Sequence, residues 1–287
     1  MKVLWISDFG ITHNIGGAQR SNQLVIEEGQ RQGHSITEFN YDSNNSVLND
    51  SYDLTISSNL EVLSRNLPEI IQYIVSNSKR HARIEHDSNR YLQPHDRKLL
   101  FGSCDKAFFL TKFHYNQFTE MYGDIFKNVI IVPDPIDANF FYDTNQERED
   151  KILYIGYMHY LKGTNNFFQY VMDNPSVDFV MAAWGEMGFE QAARSFSNVE
   201  WLGQLSYEEM PSLYNRYKIM YYHPVFFEPF CRAVGEALLC GMEVNGNELI
   251  GSLHHYNEVG KKEFVAGCNN ATQSFWKNID DLCNSNS

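Results

Sequence analysis

Short apolar runs alternate with longer amphipathic segments, in two consecutive series along the chain. VLWIS (3–7), SITEFN, YDLTIS, ARIEH, KAFFLT and NVIIVP have strand length and composition. Segments of helical period lie among them at 16–33 and at about 60–76, 94–102 and 112–122. The second series runs KILYIG, a helix from about 162, VDFVMA, a helix near 186–195, VEWLG, a helix opened by Ser206, and KIMYYHP with a helix after it. Ser206 with Glu209 three residues on is a capping-box pattern. Strand-then-helix repetition predicts a mostly parallel sheet covered on both faces. The expected fold class is therefore α/β, with two Rossmann-like doubly wound domains, and 287 residues suffice for both. The polar run DTNQERED (143–150) is the expected join. It sets domains at 1–145 and 146–270, with a helix and tail at 271–287 packing back toward the first domain. Two such domains face a cleft, and ligands of these sheets bind beyond the carboxyl ends of strands.

Composition narrows the function. The formal net charge of -13 disfavours non-specific binding to phosphate backbones, so a nucleic-acid partner is not expected. Five cysteines, an odd count without a C-x-x-C pair, form neither a disulfide framework nor a zinc site and point to a cytoplasmic setting. The apolar run in MKVLWISDFG is too short for a signal peptide and suits a buried first strand. No apolar run approaches the ~18 residues of a membrane span; peripheral contact through aromatic loops stays open. There is no D-x-D pair, and His254 and His255 are adjacent on a helix and face apart, so no metal is expected. The absence of G-x-G-x-x-G after the first strand counts against a nicotinamide-dependent dehydrogenase.

Residues 223–241, HPVFFEPFCRAVGEALLCG, hold the densest chemistry. A strand ends, a turn containing Pro229 follows, and a helix begins near Cys231. The free amides of its first turn attract anions. Arg232 at that end opposes the helix dipole unless something negative binds, and an ordinary Arg232–Glu236 pair at i,i+4 is the simpler alternative. Glu228 and Glu236, eight positions apart, are able to accept hydrogen bonds from vicinal hydroxyls.

This stretch resembles the E-x7-E motif of the retaining glycosyltransferase family 4, of the GT-B fold, with EALLCG matching the helix after it. ILYIGYMHYLKG (152–163), NVEWLGQLSYEEMPSLYNRYKIMYYHP, NVIIVPDPIDANFF and the glycine turn at Gly16–Gly17 before AQR resemble further family segments in the family order, over most of residues 1–260. The resemblance implies a metal-independent transferase that moves a sugar from a nucleotide-sugar to a hydroxyl of a glycan, lipid-linked or small-molecule acceptor, with retention and no cofactor. Glu236 would hold the donor ribose, Glu228 the transferred sugar, and Lys162 the diphosphate. The backbone of Phe230, Cys231 and Arg232 would cradle the distal phosphate. Gly16, Gly17 and Gly156 would admit the donor closely, and His86 would be the active-site histidine. Two departures stand out. Tyr157 occupies the place of a family arginine, for which Arg232 is the expected substitute, and MEVNGNELIGS replaces a proline-containing loop. A sugar-nucleotide epimerase or hydrolase on the same fold and a non-catalytic nucleotide-sugar-binding module remain alternatives.

Overall fold

Five residues of β1 (Lys2–Ile6) show why the first series folds as it does. Val3 and Trp5 join one buried cluster and Leu4 and Ile6 another, the period-two alternation of a strand with helices on both sides. In the computed structural model, which describes residues 1–10, 16–88 and 92–284, β1 joins β2 (Ser35–Phe39), β3 (Leu54–Ser57), β4 (His81–Glu85), β5 (Lys106–Phe109) and β6 (Val129–Ile131). They form a six-stranded parallel sheet of order β2-β1-β3-β4-β5-β6. On one face, Val3, Trp5, Ile56 and Phe108 pack with Val25 and Ile26 of α1 (Gly17–Arg31). On the other, Leu4 and Ile6 meet Leu63 of α2 (Leu63–Asn66), Ile70 and Ile74 of α3 (Glu69–Asn77) and Leu100 of α4 (Pro94–Ser103). The single helix expected over 60–76 is thus two. Pro68 pushes Leu67 out of the helical region (φ -135°, ψ 75°) and caps α3. Helix α5 (Lys112–Tyr122) is capped by the Thr111 hydroxyl, which accepts from the amide of His114 at 3.0 Å.

The second unit is built on β7 (Glu149–Met158), followed by α6 (Thr164–Asp173), β8 (Phe179–Gly185), α7 (Met187–Ser195), β9 (Val199–Trp201), α8 (Met210–Arg216), β10 (Tyr217–Tyr222), α9 (Arg232–Leu239) and β11 (Glu243–Gly246). Its five strands run parallel in the order β11-β10-β7-β8-β9. Ile152, Tyr154, Met181 and Ala183 face Phe167, Phe168 and Val171 of α6, while α9 packs on β10 and β11. The expected capping box is present: the Glu209 carboxylate accepts from the amide and hydroxyl of Ser206, both at 2.8 Å. Strand β11, EVNG, was not anticipated, because an edge strand this short and polar carries no apolar run.

The chain divides ahead of the expected join. One unit comprises Met1–Pro135 with Gly267–Ser287, the other Ile136–Ala266. The polar run is knitted into the second unit: Thr144 donates from its amide and its hydroxyl to Asn215 Oδ1, both at 2.9 Å, and Arg148 donates to the carbonyl of Tyr214 at 2.9 Å. After α10 (Gly251–Val259), the division falls within α11 (Lys261–Asn269), and α12 (Ala271–Asn284) packs on α1. There Trp276 Nε1 donates to the carbonyl of Val25 at 2.6 Å. No described helix is long and apolar enough to cross a membrane.

Candidate functional site

The strand order marks where a ligand fits. In the second sheet the chain moves from β7 outward through β8 to β9, then returns to β10 on the other side of β7. Their carboxyl ends diverge there, and such a switch point is the binding crevice of an open α/β sheet. Two loops flank it: the turn after β7, closed by the short 3-10 segment Tyr160–Lys162, and the stretch from His223 to Cys231 after β10.

These loops are stitched together. Val225 donates its amide to the carbonyl of Leu161 at 3.0 Å, and Asn166 donates to the carbonyl of His223 at 3.0 Å. Gly163 sits between them at φ 78°, and a Cβ there would strike the carbonyl oxygen of His223, so both the backbone and the close approach require glycine. Lys162 Nζ donates to both oxygens of Glu228, at 2.7 and 2.8 Å. Glu228 is anchored on its far side as well: its amide donates to the carbonyl of Leu249 at 2.7 Å and its carbonyl accepts from Gly251 at 2.9 Å. Ser252 at the start of α10 donates its amide to the carbonyl of Phe230 at 2.7 Å and its hydroxyl to that of Cys231 at 3.3 Å. Carbonyls of the turn are thereby engaged from behind.

Cys231 caps α9 at φ 68° and ψ 85°, a left-handed conformation rare for a residue with a side chain. Burial, reinforced by the Glu228 charge, pushes its thiol up to about 12. One turn into α9, Glu236 is buried, with Oε1 accepting from Arg232 Nε at 3.0 Å and Oε2 from the hydroxyl of Tyr214 at 3.1 Å. Burial, then the Glu236 charge, raises the Tyr214 phenol well above its ordinary range. The crevice therefore holds two cation–carboxylate pairs. Lys162–Glu228 is the more open, with the side chains 40% and 14% exposed, against 10% and 7% for Arg232–Glu236.

The remaining expected residues distribute unevenly. Gly156 lies in β7 at φ 118° with open space where a Cβ would point, a conformation that only glycine adopts easily. Tyr157 beside it is half-exposed, as is its register partner Trp184 at the end of β8, with ring centroids 6.3 Å apart. Arg232, the expected substitute for the arginine absent at 157, is seated on Glu236, the i,i+4 pair that spacing alone allows. In the first unit, Gly16 caps α1 at φ -89° and ψ 168°, which any residue adopts, and Gly17 opens the helix. His86 follows β4 with its side chain buried. Its Nε2 meets Asn22 Oδ1 at 2.9 Å, and its Nδ1 lies 3.6 Å from Asp134 Oδ1.

Sequence reasoning missed Tyr214, Tyr222, Gly163 and Ser252, which sit around the two pairs. It also missed a buried carboxylate cluster in the first unit. One oxygen each of Glu61, Glu85 and Asp87 lies within 4.8 Å of the others, a metal-like spacing among the described residues. Guanidinium groups stand where a cation would: Glu85 Oε2 is 2.9 Å from Arg83 Nη2 and 3.0 Å from Arg97 Nη1. Against burial, which pushes it up, these two arginines hold Glu85 down to about 2.

The family model for glycosyl transferases group 1 matches residues 136–287. No curated protein matches the sequence. Among solved structures, Anabaena HepE in complex with UDP and glucose is similar at a TM-score of 0.68 and 13% identity, covering 96% of this chain and 94% of its own. Sucrose-phosphate synthase from Thermosynechococcus elongatus is similar at 0.68 and 12%, covering 99% and 92%. The lipopolysaccharide outer core galactosyltransferase WaaB is similar at 0.66 and 12%, covering 100% of both chains. Those likenesses establish a GT-B fold of two Rossmann-like domains. With the family match over the half of the chain that carries both ion pairs, the chain belongs to the glycosyl transferases group 1 and is a glycosyltransferase.

Proposed function

We propose that the protein moves a sugar from a nucleotide-sugar to a hydroxyl acceptor with retention of configuration and without a metal, and that the donor lies in the crevice between β7 and β10. The observation that carries this reading is the Lys162–Glu228 pair at the switch point, with Arg232–Glu236 on the first turn of the helix that follows the same loop. A cation, a ring of amides at the start of α9 and two carboxylates stand together there. That is the set a diphosphate flanked by a ribose and a hexose needs. Lys162 moves onto the leaving diphosphate and stabilises its growing charge. Glu228 then accepts from hydroxyls of the transferred sugar, and Glu236 accepts from the ribose. In a front-face reaction the departing phosphate oxygen takes the proton of the incoming hydroxyl as the new glycosidic bond forms on the same face. The amides of Phe230, Cys231 and Arg232 receive the distal phosphate. Gly156 gives the donor an open approach, and Gly16 and Gly17 are donor-binding glycines at the start of α1. In that unit His86 is the active-site histidine, oriented by Asn22 and Asp134. The acceptor is a glycan, a lipid-linked sugar or a small molecule. Five cysteines without a disulfide fit a cytoplasmic setting, with peripheral membrane contact open to it.

HepE and starch synthase IV of Arabidopsis thaliana were solved with UDP-glucose and with ADP and acarbose, respectively, which supports a nucleotide-sugar donor here. The test is a panel of UDP-, GDP-, ADP- and dTDP-sugars read by thermal shift. A true donor at 100 times its Kd adds ~2.7 kcal/mol of stability. Product NMR then reports the anomeric configuration, and added chelator leaves turnover unchanged. No shift with any nucleotide-sugar sinks the reading. Donor consumption without an acceptor would identify an epimerase or hydrolase instead.

A further inference from the structure

Tyr222, the last residue of β10, has no part in the donor contacts described above, yet its side chain reaches the Glu228 carboxylate. It is buried, and its hydroxyl lies 3.4 Å from Glu228 Oε1. Cys231, which caps the phosphate-facing turn, is a near neighbour of the same phenol. One phenol thus bonds the carboxylate facing the transferred sugar and lies beside the residue that caps that turn. Burial, with the nearby Cys231 and Glu228, raises this phenol well above its ordinary range, so its proton is available as a donor throughout the working pH range.

We infer that Tyr222 is a positioning residue for sugar transfer: it holds the Glu228 carboxylate in place when Lys162 leaves it for the diphosphate. The inference rests on the donor reading given above. In the structure Lys162 bonds to both oxygens of Glu228. A lysine that swings to a phosphate gives up those bonds, and a carboxylate left with a single donor keeps its direction only through that donor. Among the described residues, Tyr222 is the side chain besides Lys162 that hydrogen-bonds the Glu228 carboxylate. The backbone of Glu228 is fixed by Leu249 and Gly251, which leaves its side-chain torsions as the freedom to be restrained. Tyr222 therefore acts on the sugar half of the donor and not on the nucleotide half.

Tyr222→Phe tests this, because it removes one oxygen and leaves the ring packing in place. The measurements are kcat and KM with the nucleotide-sugar that the wild type uses, and the Kd of the matching nucleoside diphosphate. Loss of a hydrogen bond to a charged group predicts a fall in kcat of about tenfold. Nucleoside diphosphate affinity stays within about twofold of wild type, since the phosphate contacts are untouched. In a Glu228→Gln background, Tyr222→Phe adds no further loss, since the two act as one unit. Unchanged kcat, or diphosphate affinity falling in step with kcat, overturns the assignment, and so does full additivity with Glu228→Gln. Wild-type protein that binds no nucleoside diphosphate at all overturns the donor reading and this assignment together.

Discussion

At the scale of single residues, the crevice rests on a few side chains whose charge and reach are not interchangeable. Lys162→Ala removes the more exposed cation. It lowers kcat by ~100-fold, the usual loss of one transition-state donor, and raises donor KM less, as steady-state kinetics will show. Gly163→Ala fails for a different reason. Its φ of 78° and the His223 carbonyl in the path of a Cβ force the two loops apart. Destabilisation by more than ~1 kcal/mol is expected in urea titrations, with loss of turnover because Lys162 is displaced. Both acids of the E-x7-E stretch were legible in the sequence, as was Lys162. Their pairing was less so. Arg232–Glu236 follows from i,i+4 spacing on α9, whereas Lys162–Glu228 joins residues 66 positions apart and depends on β7 and β10 being neighbours.

At the scale of elements, β7, β10 and α9 carry the site, and α12 shows how a distant element supports a fold. Phe275, Trp276 and Ile279 are fully buried beside Val3, Trp5 and Phe108. Gly29 in α1 lies where any side chain would collide with the Trp276 ring. Trp276→Ala leaves a cavity and removes the hydrogen bond to the Val25 carbonyl, and a loss of ~3–5 kcal/mol in equilibrium unfolding is expected. A smaller change would mean that α12 is only loosely docked. The helix itself was legible from its periodicity. Its full burial was not, because the sequence does not say which sheet face lacks a cover.

At the scale of the whole molecule, the acid response divides between groups of opposite sign. Burial holds His81 and His114, both in the first unit, down to about 3, against 6.5 when unfolded. Between those values the unfolded chain binds the extra protons, so their contribution to stability is lost as pH falls from 6.5 toward 3. Asp8, Glu61 and Asp87, raised by burial, act in the other direction. A variant isolates one term. His114 meets Phe109 and Phe118 edge-on, so Phe fits its place. His114→Phe makes the dependence of unfolding free energy on pH shallower in that window by up to one proton, ~1.4 kcal/mol per pH unit. Parallel slopes for the two proteins would show that His114 is protonated in the folded state.

The sequence by itself determined the two α/β series, the Ser206–Glu209 capping box and the turn into α9 that holds Glu228 and Glu236, because each is written in side-chain spacing over a few residues. It placed the division of the chain too late, since a polar run looks like a linker until Asn215 and the Tyr214 carbonyl are seen to bind it. Tertiary structure alone decided that β10 lies beside β7, that Lys162 faces Glu228, that the Tyr222 hydroxyl reaches the same carboxylate, and that the last helix is buried with Val3, Trp5 and Val25. The reason is physical. Local periodicity fixes which face a residue turns, but strand order, set by how whole sheets bury their faces, fixes what that face meets.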